Sequence, residues 1–205
     1  MKNMKRIIAV SLLIFYLIGV FTFIHFEKEE KNNHEIMNVE LLKAQRKEVF
    51  DSLVWIVNDE IKHSFPKSKI NRWLLVKHSL VENVDLTLVL SQARLESQYG
   101  TLVKKGEVAD YSNSVFGVIK DYQTIDDSIY PYVRLISTRY LNNNRTVDDL
   151  LESGFKQTNT SRKYAADPLY CQKLKRIRTH LQKTYNIEEL QEKYNELTTK
   201  INDIK

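Results

Sequence analysis

A chain of 205 residues has room for one domain with a real hydrophobic core and for appendages at its ends. Its formal charge of +5 does not mark a nucleic-acid binder, because Lys2, Lys5 and Arg6 precede an uncharged run and leave only about +2 for everything after it. The single cysteine, Cys171, excludes an intrachain disulfide, and its helical setting near Leu174 predicts a buried, inert thiol.

The first element is the run from Ile7 to Ile24, 18 residues without a charge. With cations before it and Glu27, Lys28, Glu29 and Glu30 after it, the run predicts a single-pass membrane anchor with its N-terminus in the cytoplasm and the remainder outside. Bulky residues from Val20 to Phe26 favour an uncleaved anchor over a signal peptide. The expected organisation is a cytoplasmic stub and anchor over 1–26, a short charged linker over 27–38, a helical domain over 39–186 and a C-terminal helix over 187–205.

Within the domain, apolar residues from Val39 to Ile61 recur at helical spacing up to Pro66. The next two helices are expected over Ile70 to Val81 and Asp85 to Tyr99, the second capped by Asp85. Gly100, Gly106 and Gly117 then fall close together and predict the one turn-rich region of the domain, where a site is favoured. Helical pattern resumes from Ile125 to Tyr140, with Thr124 or Asp126 as cap. A short helix is expected over Asp148 to Ser153, and a long one starting at Asp167-Pro168. Lys156 to Tyr185 holds eight Lys or Arg and one acid, Asp167, which fits a solvated face or a contact with anionic envelope polymers. Ile187, Leu190, Tyr194, Leu197, Ile201 and Ile204 follow heptad spacing. Three heptads are marginal alone, so residues 187–204 either dock on the domain or meet a second copy or a protein partner.

One acid stands out. Val89, Ala93 and Glu96 are spaced i, i+4, i+7, which puts Glu96 on the apolar face of a helix that ends at Gly100. A carboxyl there must be paired, hydrogen-bonded or working. Partial burial and the carbonyl dipoles of a helix C-terminus both disfavour its charged form, so its pKa is expected to rise towards that of a usable general acid.

Three motifs follow in order: Glu96-Ser97-x-Tyr99-Gly100, Asn113-x-x-Phe116-Gly117, and Tyr164-Ala165-Ala166-Asp167-Pro168-x-Tyr170. Together they make the chain resemble the glucosaminidase family of bacterial cell-wall hydrolases, glycoside hydrolase family 73, from about Leu74 to Ile177. The resemblance implies a mainly α, lysozyme-like domain that hydrolyses the β-1,4 bond after N-acetylglucosamine in peptidoglycan glycan strands, without cofactor or metal. It makes Glu96 the general acid and puts Tyr164 opposite it as a second catalytic residue. Phe116 and Gly117 become the cleft floor, Asn113 the holder of that turn and Tyr99 a substrate-side residue. Tyr170 reads as packing and Asp167 as an N-cap.

The chain departs from the family pattern after Gly117. Only Val118 to Thr124 separate that turn from the next helix, so the usual β-lobe is reduced or absent. A second carboxylate to activate water then has to come from Asp121, Glu107 or Asp110, unless the acetamido oxygen of the substrate attacks. Two rival readings are a lytic transglycosylase, which also sets a Glu-Ser at a helix end, and a non-catalytic wall-binding or scaffold protein with a shortened cleft.

Overall fold

The structure is a computed structural model. It describes residues 36–103, 113–118 and 120–204, and of 2–35 only their place in the first helix and the side chains of Val20, His25 and Lys28. Among the described residues seven α-helices follow in order: α1 (Lys2–Ser64), α2 (Arg72–Val81), α3 (Leu86–Ser97), α4 (Ile129–Leu135), α5 (Val147–Glu152), α6 (Tyr170–Thr184) and α7 (Ile187–Asp203). A 3-10 turn, Asp126–Ser128, leads into α4, and a π-helical turn, Ile136–Tyr140, continues it. Among the described residues the only β pairing is one antiparallel bridge between Lys156 and Lys163.

The chain divides into two compact units, Arg46–Glu196 and Met1–Gln45 with Leu197–Lys205. In the second of these, Leu197 and Ile201 are buried. The stretch expected as a linker, 27–38, is part of α1. The expected anchor at 7–24 falls, Val20 apart, on side chains outside the described residues; among those described, no helix is long and apolar enough to cross a membrane.

In the larger unit, α3 is the central helix. Every residue from Leu86 to Ala93 is buried, so its first two turns are enclosed on all sides and only its last turn, with Glu96, reaches the surface. Asp85 caps it as expected, its Oδ1 accepting from Leu88 N at 3.1 Å. Asn71, whose Oδ1 accepts from Leu74 N at 3.2 Å, starts α2 at Arg72 rather than at Ile70. Thr146 and Asp149 form a reciprocal capping box that starts α5 at Val147. The long helix expected at Asp167-Pro168 begins only at Tyr170. Asp167 instead holds the preceding turn, its Oδ1 accepting from Leu169 N at 2.8 Å while its Oδ2 pairs with Lys173.

The tail docks on this unit over its first half. Ile187 is buried, Leu190 and Tyr194 pack against the core, and Tyr194 meets Phe50 with ring centroids 6.4 Å apart. Gln191 lies in the same contact: its Oε1 accepts from Leu86 N and its Nε2 donates to Val84 O, both at 2.9 Å, so the side chain closes the first turn of α3. Arg178 of α6 ties the helices together, reaching Asp85 at 2.9 Å, Asp148 at 3.1 Å and Glu188 at 2.7 Å with its side chain only 15% exposed. Arg178→Met is expected to cost about 2 kcal/mol in urea unfolding, because it leaves Asp85 partly buried without its cation. Asp148→Asn, whose side chain is 74% exposed, should change stability little.

Candidate active site

The last turn of α3 is closed by three consecutive left-handed residues, Gln98 (φ 50), Tyr99 (φ 55) and Gly100 (φ 82). The helix therefore stops at Gln98, two residues before the glycine. Gln98 N donates to Arg94 O at 3.0 Å and Tyr99 N to Ala93 O at 2.9 Å, which satisfies two carbonyls of the last turns. Ser97 fastens this end to the next motif: its hydroxyl donates to Val115 O at 2.7 Å and accepts from Gly100 N at 2.8 Å. The serine after the acid thus couples the Glu96 helix to the Phe116-Gly117 turn.

That turn is built as expected around Asn113, which adopts φ 57 and donates through Nδ2 to Tyr122 O at 2.7 Å and Gln123 O at 3.1 Å. Asparagine suits the position because it tolerates the left-handed region and carries a donor for the returning strand of chain. The Phe116 ring is fully buried and stacks on Tyr132, with centroids 3.8 Å apart and planes within 2°. The Phe116 carbonyl accepts from the Tyr164 hydroxyl. Gly117 then passes directly beside the acid. A Cβ built on Gly117 would lie 2.5 Å from Glu96 Oε2 and 2.9 Å from its Cδ, and its φ is +69. Both facts require glycine here.

Glu96 itself is half-buried. Burial raises its pKa, and the hydrogen bond from Tyr170 acts the other way without cancelling the rise. The Tyr170 hydroxyl donates to Glu96 Oε1 at 2.6 Å and accepts from Gln92 Nε2 at 2.9 Å, while the Tyr132 hydroxyl donates to Gln92 Oε1. One oxygen of the acid is therefore held by the protein, and the other lies at the backbone of Gly117.

The fold sets the partners of the three motif tyrosines. Tyr170, expected to pack rather than to make a contact, is the hydroxyl that touches Glu96. Tyr164, expected opposite the acid, has its hydroxyl on Phe116 O and its ring among Tyr132, Tyr140, Phe155 and Tyr170. It secures the turn, and burial first, then the charge of Glu96, keeps its phenol well above the usual range. Tyr99, expected on the substrate side, lies in the core. It is fully buried, bonds through its hydroxyl to Glu60 Oε1 at 3.2 Å, and cannot meet a substrate from the core. Cys171 is half-buried rather than enclosed, and burial pushes its thiol pKa up.

Of the second-carboxylate candidates, Glu107 and Asp110 lie outside the described residues, and Asp121 is exposed beside the buried Tyr122. Among the described residues no carboxylate contributes to the Glu96 shift. Among the described residues no group of three His, Cys, Asp or Glu could hold a metal ion. A polar cavity of about 760 Å³, lined by Asp85, Asn142, Arg145 and Glu188 among others, opens at the start of α3, the end opposite Glu96, and includes none of the motif residues.

Gln92 and Tyr132 escaped the reading of the sequence. Gln92 carried a usable signal, since it lies one turn before Glu96 on the same face, where a polar side chain among Leu88, Val89 and Ala93 needs a partner. Tyr132 carried none, because nothing in its local pattern separates it from a core aromatic.

No curated protein and no solved structure matches the chain. The model of the family described as mannosyl-glycoprotein endo-beta-N-acetylglucosaminidase does, over residues 75–183. That span runs from the first turns of α2 to the end of α6 and takes in Gln92, Glu96, the Phe116-Gly117 turn, Tyr164 and Tyr170. More than half of the chain is covered, and the chain belongs to the glucosaminidase family of glycoside hydrolases.

Proposed function

We propose that the protein is a membrane-anchored peptidoglycan hydrolase that cleaves the β-1,4 bond after N-acetylglucosamine, with Glu96 as general acid. The observation that carries this reading is the state of Glu96: half-buried, raised in pKa by burial, and held at one oxygen by Tyr170 while the other lies beside Gly117. In the proposed step the Glu96 proton passes to the glycosidic oxygen as the bond from that oxygen to the anomeric carbon breaks. A water then bonds to the anomeric carbon and gives up its proton, and Glu96 is reprotonated from solvent.

A carboxylate that takes the water's proton is sought among Asp121, Glu107 and Asp110. If one of them is the base, its amide variant should lose about 10²-fold or more in release of reducing ends from purified peptidoglycan. If the acetamido oxygen of the substrate attacks instead, all three amide variants should stay within about tenfold of wild type.

The pH dependence follows from the sign of the Glu96 shift. A general acid works while protonated, and a raised pKa keeps it protonated to higher pH, so activity should fall only as pH rises past the ordinary carboxylate range. A rate that instead increases steadily from pH 4 to pH 7 would contradict the assignment. The anchor belongs to the same proposal and rests on the uncharged run at 7–24 with its preceding cations. Protease added to intact cells should then remove the domain, and protease added outside sealed inverted vesicles should not.

A further inference from the structure

The hydrogen bonds behind Glu96 run in one direction. Tyr132 is fully buried, and its hydroxyl lies against Gln92 Oε1. A buried phenol must donate its proton, and an amide can accept only through its oxygen, so Tyr132 settles which way the Gln92 amide faces. The amide nitrogen is then turned to the Tyr170 oxygen, 2.9 Å away. Because that oxygen already accepts from Gln92, the Tyr170 proton is directed at Glu96 Oε1, 2.6 Å away.

We infer that Tyr132 and Gln92 are positioning residues which, acting through Tyr170, reserve Glu96 Oε1 as an acceptor and confine the transferable proton of the acid to Oε2, the oxygen beside Gly117. The inference rests on the reading of Glu96 as the general acid. The protein thereby chooses the oxygen that delivers the proton, since Oε1 faces the interior and Oε2 faces the turn. With an apolar residue at 92 the choice is lost. Tyr170 is then free to accept a proton from Oε1, so the protonated acid gains an internal partner and its proton turns away from the substrate.

The test is a ¹³C NMR titration of the Glu96 side-chain carboxyl in the glutamate-labelled full chain, its signal assigned by its loss in Glu96→Gln. Tyr170→Phe and Gln92→Leu should each raise the Glu96 pKa, by about one unit for a hydrogen bond to a charged group. Because Gln92 acts through Tyr170, the double variant should match Tyr170→Phe alone. Tyr132→Phe keeps the stack on Phe116 and frees the amide to rotate, so it should shift the titration in the same direction and serves if Gln92→Leu does not fold. A wild-type titration in Gln92→Leu and Tyr132→Phe, or additive shifts in the double variant, would overturn the inference. The titration needs no turnover: the expected shifts in a chain that cuts no peptidoglycan support the relay and sink only the hydrolase reading.

Discussion

Glu96→Gln is expected to reduce the release of soluble muropeptide from purified peptidoglycan by about 10²–10⁴-fold while leaving a folded protein. Glutamine keeps the shape of the carboxyl and can still accept the Tyr170 hydroxyl through its Oε1, but it has no proton to give to a leaving oxygen. The variant should also be more stable than wild type at neutral pH. Burial raises the folded-state pKa of Glu96 above its unfolded value, so the ionised acid is disfavoured in the fold. Both states are protonated below the unfolded pKa, and no difference exists there. As pH rises from that value through the raised folded one, stability is lost, and a neutral amide escapes the loss. A higher Tm for Glu96→Gln at pH 8 than for wild type, with the two converging at pH 4, is the expected pattern. A structural ion-pair carboxylate would give the opposite sign, since its removal costs stability at neutral pH.

Gly117→Ala is expected to lose about 10²-fold in activity through displacement of the acid. The new methyl would fall 2.5 Å from Glu96 Oε2, so either the carboxyl swings off its bond from Tyr170 or the turn carrying Phe116 shifts. Backbone strain adds to this, since φ +69 costs a β-carbon about 1–2 kcal/mol. Gly154 separates the two effects. Its φ is +77, and a Cβ there would meet nothing within 4 Å, so Gly154→Ala should lose similar stability and keep its activity. Equal activity losses in the two variants would place the effect of position 117 in folding rather than in the acid.

The inward place of Glu96, the turn beyond it and the helical character of the domain were legible in the sequence, because each rests on local pattern. Asp85 signals the start of α3, the glycine cluster signals the turn beyond it, and the i, i+4, i+7 spacing puts Glu96 on the inner face. What was not legible depends on side chains distant in sequence. An aromatic at the start of an amphipathic helix usually packs, yet the Tyr170 hydroxyl crosses 74 positions to reach Glu96. Tyr164 and Tyr170 show the same dependence: two tyrosines six residues apart offer similar rings, and only the fold decides which hydroxyl meets Glu96 and which meets Phe116 O. The glycine expected to end α3 lies two residues too late, because Gln98 and Tyr99 both take left-handed conformations that residue type alone does not announce. Tyr99 was drawn towards the substrate by its place in the motif, whereas Glu60, Ser68 and Phe65 hold it inside.

Family membership and the geometry of Glu96 converge on glycan cleavage, and the products distinguish how the bond is broken. Mass spectrometry of peptidoglycan digested with wild-type protein, with Glu96→Gln as control, is the most direct measurement. Muropeptides with reducing N-acetylglucosamine ends, present with wild type and absent with the variant, are the expected result. Ends bearing 1,6-anhydro-N-acetylmuramic acid, or equal release by wild type and Glu96→Gln, would contradict hydrolysis by an acid at position 96.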